Sequence, residues 1–313
     1  MKKKIISVAA LIAVFAVVAA VIIFELDRYN VIDLDYVPKY LEVEDLGSAK
    51  QLDGRTAFVS VFLSDKYRKW DFSQERDRKK RAECFEYTRI ATDWLVSQGE
   101  KYGKQIEFCY AKNENDDMLY YEGTLEDTDI YLNWADEKAI GKRAPDEWEF
   151  IDNNIDFNMI GEKYGCDNIV YHIFINNEPE NRECTAFCLC AYEKALERPH
   201  ELCFLPMYYE GLSLTPAVIA HETLHTFGAT DLYSWDSTGV TFGTTGSFVE
   251  YCRDHLNDDI MFATMNPITG DAPTDRIDRE ITYMTAYFIG WNRNTPFEID
   301  HFKVVHSQFD KKK

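Results

Sequence analysis

His221 and His225 stand four residues apart in the run His221-Glu222-Thr223-Leu224-His225. Residues four apart share one face of an α-helix, so both imidazoles can turn to the same metal ion. Glu222 sits beside the first histidine, where its carboxylate can reach a water on that metal and take its proton. Gly228 follows three residues after His225, and Asp231 three after Gly228, which extends the pattern to H-E-x-x-H-x-x-G-x-x-D. A glycine there lets a helix stop in the left-handed region and fold the chain back. The turn carries residue 231 towards the metal, where a carboxylate completes a three-ligand site and leaves a fourth position open, as catalytic zinc requires.

These side chains need a helix to hold them, and Thr215-Pro216 opens one, with threonine as cap and proline in the first turn. Upstream, Thr56 to Leu63 reads as a strand that ends at Ser64-Asp65. A long helix is expected over about 73–101, with Ser73 as its cap and Gly99 and Gly103 near its end. Its basic run, Arg76 to Arg81, reads as a solvated helix face. A strand over 105–111, an acidic loop over 112–146 and a helix over 147–164 follow. The apolar, β-branched run Ile169 to Ile175 is a buried strand. Two strand-like pieces, 184–192 and 201–209, lead into the metal helix, and a late helix is expected from Asp278 to Trp291.

At H-E-x-x-H-x-x-G-x-x-D the chain resembles the metzincin clan of zinc metallopeptidases, whose third-ligand place holds His or, in snapalysin-like members, Asp. The resemblance implies Zn2+ as cofactor, His221, His225 and Asp231 as its ligands, and Glu222 as general base. It also implies a methionine-containing turn beneath the metal. Asp258-Asp259-Ile260-Met261 stands thirty residues past Asp231 and supplies Met261, with Met265 as the other choice. The implied fold is α+β: a mixed twisted sheet with long helices, the metal helix, the methionine turn and a C-terminal helix. Two features depart from the clan. Some members place a tyrosine two residues after the turn methionine; Ala263 stands there, leaving Tyr233 and His255 as substitutes. A rival run, Glu250-Tyr-Cys-Arg-Asp254, imitates the E-x-x-x-D helix of thermolysin-like enzymes and offers Glu250 as third ligand, but it leaves Gly228 and Asp231 unexplained.

The rest of the chain sets where this chemistry would operate. Lys2, Lys3 and Lys4 precede an uncharged run from Ile5 to Phe24, long enough to cross a ~30 Å hydrocarbon core as a helix. The lysines favour a cytoplasmic N-terminus, so residues 1–24 read as a signal anchor with everything after them exported. A cleaved signal peptide with a secreted product is the alternative. Residues 25–54 read as a stalk or linker, and 55–313 as the catalytic domain. With 54 acidic against 34 basic residues and a net charge of −20, nucleic acid is excluded as a partner. Eight cysteines in an exported chain, four of them within 184–203, suggest disulfides.

The expected function is therefore an exported, membrane-anchored zinc endopeptidase that hydrolyses peptide bonds with a zinc-activated water and Glu222 as general base. A non-catalytic zinc-binding surface or adhesion module and a cell-wall peptide amidase are the alternatives. A peptide or protein substrate is expected to lie along an edge strand within 184–209. Its side chains past the cut would meet residues near and beyond Met261.

Overall fold

β1, Gly54–Ser64, is buried over its last nine residues and forms the axis of the fold. A strand buried on both faces is mostly apolar and flanked on both edges. β1 meets both demands in the computed structural model, which describes residues 52–126, 144–166, 168–180, 186–189, 201–209, 211–233, 246–302 and 304. On one edge its first half pairs with β2, Ile106–Tyr110, and its second half with β3, Tyr120–Thr124. On the other edge it pairs with β4, Asn168–Ile175, which pairs in turn with β6, Glu201–Pro206. All these pairings are parallel. β5, Phe187–Leu189, closes the order β2-β1-β4-β6-β5 as its antiparallel member. The fold is a mixed α/β one. β7, Tyr208–Tyr209, and β8, Leu212–Ser213, make a small separate hairpin.

Helices cover both faces of the sheet. On one side lie α1, Glu75–Lys101, and α4, Pro216–Thr226, packed against each other. Phe62 of β1 meets Phe85 of α1 edge-on and stacks on Phe174 of β4. His172 of β4 hydrogen-bonds through Nε2 to Thr223 Oγ1 of α4 at 3.1 Å. On the opposite side lie α2, Pro145–Asn154, and α3, Phe157–Tyr164. Phe150 of α2 lies against Gly123 of β3, where any side chain would collide with the ring. Downstream of α4 come α5, Gly246–His255, then α6, Tyr283–Phe288, and α7, Phe297–His301.

Several expectations need correction. The N-cap of α1 is Gln74, not Ser73, whose hydroxyl bonds to Asp71 instead. The basic run of α1 is not uniformly solvated. Lys80 is buried against Asn176 Oδ1, and Arg81 is buried with ion pairs to Glu114 and Glu122. The acidic stretch 112–146 contains β3, a short edge strand that its tyrosines and Thr124 support and its charges disguise. The single helix expected over 147–164 is two, because the chain is extended at Ile155 and Asp156 and Asp156 caps α3 through Met159 N–H. The late helix is only α6, since residues 278–281 run alongside another segment instead. Leu52 is fully buried and its carbonyl accepts from Trp291 Nε1, so the packed fold starts inside the segment read as a linker. Cys84, Cys109 and Cys252 are free thiols, while Cys184 and Cys190 lie outside the described residues. Among the described residues no helix is long and apolar enough to cross a membrane; the anchor expected over 1–24 falls outside them.

His172 is fully buried with Phe58 stacked 4.7 Å from its ring, and burial pushes its pKa down to about 3. Above its ordinary value of 6.5 the imidazole is neutral whether the chain is folded or not. Between those values only the unfolded chain takes up the proton, so stability falls as pH falls, by about 1.4 kcal/mol per pH unit from this group. Urea unfolding of wild type and His172→Gln between pH 7 and 4 should show a shallower acid-side loss in the variant, whatever its stability at pH 7. Parallel pH dependences in the two proteins would refute the assignment.

Candidate metal centre

Every residue of α4 is buried, including His221, Glu222 and His225. A helix enclosed on all sides is normally apolar throughout, so three ionisable groups on it need compensation. The helix starts at Thr215, whose backbone has cap geometry although its hydroxyl makes no cap bond. It ends as the sequence predicts. Gly228 takes φ +94°, its N–H bonds to the His225 carbonyl, and Ala229 N–H bonds back to Leu224, the paired bonds of a Schellman cap. A side chain at 228 would be strained there.

The turn does two things at once. It presents the Ala229 carbonyl to His225 Nδ1 at 2.9 Å, and it swings Asp231 under the helix. His221 Nδ1 finds its own carbonyl on Ile260, at 3.0 Å. A carbonyl can only accept, so each ring carries a proton on Nδ1 and, when neutral, offers the Nε2 lone pair. Asp231 Oδ1 lies 3.2 Å from His221 Nε2 and 3.4 Å from His225 Nε2. Donors on a tetrahedral zinc with ~2.0–2.1 Å bonds are separated by about 3.3 Å. Asp231 Oδ1 is buried with no hydrogen-bond donor. Three lone pairs converging without a donor between them are the residue set a cation fits, and His221, His225 and Asp231 could hold a metal ion.

The electrostatics agree with the geometry. Burial, the largest influence on His221, favours its neutral form, yet Asp231 and Glu222 outweigh it and lift the imidazole above its ordinary value. Asp231 feels burial upwards, but His225 and His221 pull it well below the usual carboxylate range. Glu222 is different: burial dominates and raises it despite the neighbouring imidazoles. The cluster draws positive charge, while Glu222 beside it favours a proton.

Met261 is fully buried, and its carbonyl accepts Leu232 N–H at 2.9 Å, next to Asp231. The turn that ends at Met261 thus touches both ligand arms, through Ile260 to His221 and through Met261 to the Asp231 segment. Met265 is only half-buried, in the loop beyond. Glu250 is exposed on α5 and outside the cluster, so the rival third ligand is not brought to the metal helix. Of the two substitutes for the missing tyrosine, Tyr233 lies over His221, with ring centroids 6.3 Å apart, while His255 packs on Tyr251. The sequence reading overlooked Asp259, which is fully buried and accepts hydrogen bonds from Met261 N, Thr282 N and the Thr282 and Thr285 hydroxyls. An acid set between Asp258 and the apolar pair Ile260-Met261 was the available signal.

No family model, curated protein or solved structure matches this chain.

Titration of the full chain with Zn2+ against a chelating indicator should give one tight site. Asp231→Ala should weaken it by more than the roughly 10- to 100-fold typical of losing an outer partner. Glu250→Ala should leave it unchanged; the opposite ranking would move the third ligand to α5.

Proposed function

We propose that this chain is a zinc metallopeptidase of the metzincin kind, with His221, His225 and Asp231 as zinc ligands and Glu222 as general base. The observation that carries the reading is Glu222 Oε2, buried beside the ligand cluster with no hydrogen-bond partner. Leaving a buried carboxylate oxygen unsatisfied costs roughly 1–3 kcal/mol or more. A metal that only braces a fold gains nothing from that expense, whereas a hydrolytic site needs the group. Bound zinc supplies Lewis acidity towards a carbonyl and lowers the pKa of water.

The chain's own residues do the rest. Glu222 accepts the proton of the attacking water at its carboxylate and passes it to the departing amine nitrogen. Its raised proton affinity suits it to hold that proton between the two transfers. Tyr233, half-exposed with its ring over His221, would donate from its phenol to the oxyanion that develops on the substrate carbonyl. It takes the job for which Ala263 has no group. An extended peptide pairs main chain to main chain with β5, the antiparallel last strand of the sheet order, which packs against α4. A cavity of about 600 Å³ opens beside Ala217, one helical turn before His221, and is walled by Thr264, Asn266 and the 271–279 segment. That cavity receives a side chain past the cut. The apolar run Ile5 to Phe24 supports an activity outside the cytoplasm, on a membrane or in secreted form.

The full chain with zinc, incubated with a diverse peptide mixture, should generate new termini readable by mass spectrometry. Glu222→Ala should keep zinc and lose roughly 10²–10⁴-fold in turnover. Tyr233→Phe should lower kcat by up to ~10²-fold with little change in KM. Zinc-loaded wild type that cuts no peptide would favour the non-catalytic binding module, and cleavage confined to cell-wall fragments would favour the amidase.

A further inference from the structure

The methionine turn has a buried anchor that the metal chemistry does not use. Asp259 is fully enclosed, and each of its carboxylate oxygens accepts two hydrogen bonds. Oδ1 takes Met261 N–H and the Thr285 hydroxyl, both at 2.8 Å. Oδ2 takes Thr282 N–H at 2.9 Å and the Thr282 hydroxyl. Four donors around one carboxylate fix its position and orientation, and in return fix the backbone that supplies them. Around it the turn and the 279–282 segment are laced by backbone bonds. Glu280 N–H bonds to the Asp258 carbonyl, and Ile260 N–H to the Glu280 carbonyl, both at 2.9 Å. The Arg279 guanidinium donates to the Asn257 carbonyl at the start of the turn.

We propose that Asp259 is the positioning residue of the metal centre: its carboxylate sets the backbone of Asp258 to Met261, whose Ile260 carbonyl orients His221 and whose Met261 carbonyl holds the segment bearing Asp231. The inference rests on the metal-centre reading and deepens it. The path is short. One residue from the carboxylate, the Ile260 carbonyl receives His221 Nδ1, which decides where Nε2 points. Two residues from it, the Met261 carbonyl receives Leu232 N–H, adjacent to Asp231. If the turn relaxes, the ligands on α4 and on the segment returning from it lose their shared reference. His225 does not depend on it, since its ring is oriented by Ala229 within the Gly228 turn. Loss of Asp259 therefore distorts two ligands of three and leaves the third in place, which predicts a weakened and reshaped site rather than an abolished one. Asparagine keeps the size and one carbonyl oxygen but turns two acceptor sites into donors facing donors, so it stands between aspartate and alanine.

The experiment measures Zn2+ and Co2+ affinity, the visible spectrum of the Co2+ form and the thermal melt of the full chain, for wild type, Asp259→Asn and Asp259→Ala. Expected are roughly 10- to 100-fold weaker metal binding in Asp259→Ala, a smaller loss in Asp259→Asn, and Co2+ bands that shift or lose intensity in both. Thr285→Ala, which removes one donor from the same carboxylate on a different element, should move the Co2+ bands in the same direction by less. If Asp259→Ala does not fold, Asp259→Asn and Thr285→Ala decide the matter. Variants that melt lower but keep the wild-type affinity and Co2+ spectrum would reduce Asp259 to a structural residue and overturn the inference, with the metal reading intact. Wild type without any Co2+ bands would overturn both.

Discussion

Every residue of α4 is buried, yet this helix carries two imidazoles and a carboxylate, and Asp231 brings a second carboxylate to the same place. Water screens these groups little, so each needs a partner supplied by the fold or by a cation. The fold supplies part of the compensation: two backbone carbonyls for the two Nδ1 atoms. It withholds the rest, leaving Asp231 Oδ1 without a donor where it faces the two Nε2 atoms. The surrounding architecture can be understood from this half-satisfied arrangement. Its lone pairs have to be held against their mutual repulsion, within tenths of an ångström, by something rigid.

That rigidity reaches the site in steps from α1, the longest helix. Trp94 Nε1 and the Tyr102 hydroxyl donate to the carbonyls of Arg279 and Ile281, and Gln98 Oε1 accepts Ile281 N–H. The 279–282 segment is thus pinned on one side to a 27-residue helix that itself packs on the sheet and on α4. On its other side it carries the turn ending at Met261. The ligand set comes from two arms close in sequence, α4 and the segment that returns from it, and none of it from the turn itself. The arms are referenced to one frame, because the turn's carbonyls meet both. The Met261 side chain is buried, but it is the backbone of the turn that meets both arms.

The parts of this that could be read from the sequence are those encoded locally. H-E-x-x-H needs only helical spacing, and Gly228 needs only the conformational freedom of glycine at a helix end. Both are properties of neighbouring residues, and the chain places them where the spacing says. β1, β4 and the long α1 were legible for the same reason, as long apolar or periodic runs. What escaped was encoded at a distance. β3 is an edge strand whose stability comes from β1 and whose own residues are mostly polar. The late segment 278–281 has a helix-compatible composition but trades helical bonds for a bridge to the methionine turn, a choice visible only once Asp259 and Glu280 are side by side. Lys80 and Arg81 looked like surface charges because their partners, Asn176, Glu114 and Glu122, lie on other elements. Asp259 was overlooked on the same ground: its four donors come from its own turn and from residues 282 and 285.

The unequal treatment of the four ionisable groups bears on what the site is for. His221 and His225 are each locked by a carbonyl on the nitrogen that faces away from the cluster, which removes rotational freedom and fixes the tautomer of the neutral ring. Asp231 is drawn into its charged form by both imidazoles. Glu222, one residue from a locked ligand and equally buried, has one oxygen left without any hydrogen bond and is pushed towards its protonated form instead. A ligand must be immobile and deprotonated; a group that carries a proton between two reacting atoms must be neither tied down nor too acidic. Burial would have been less costly had Glu222 been replaced by an apolar residue of similar size. Three groups held still and one left able to exchange a proton is an arrangement that stability does not require and that the proposed hydrolysis would use.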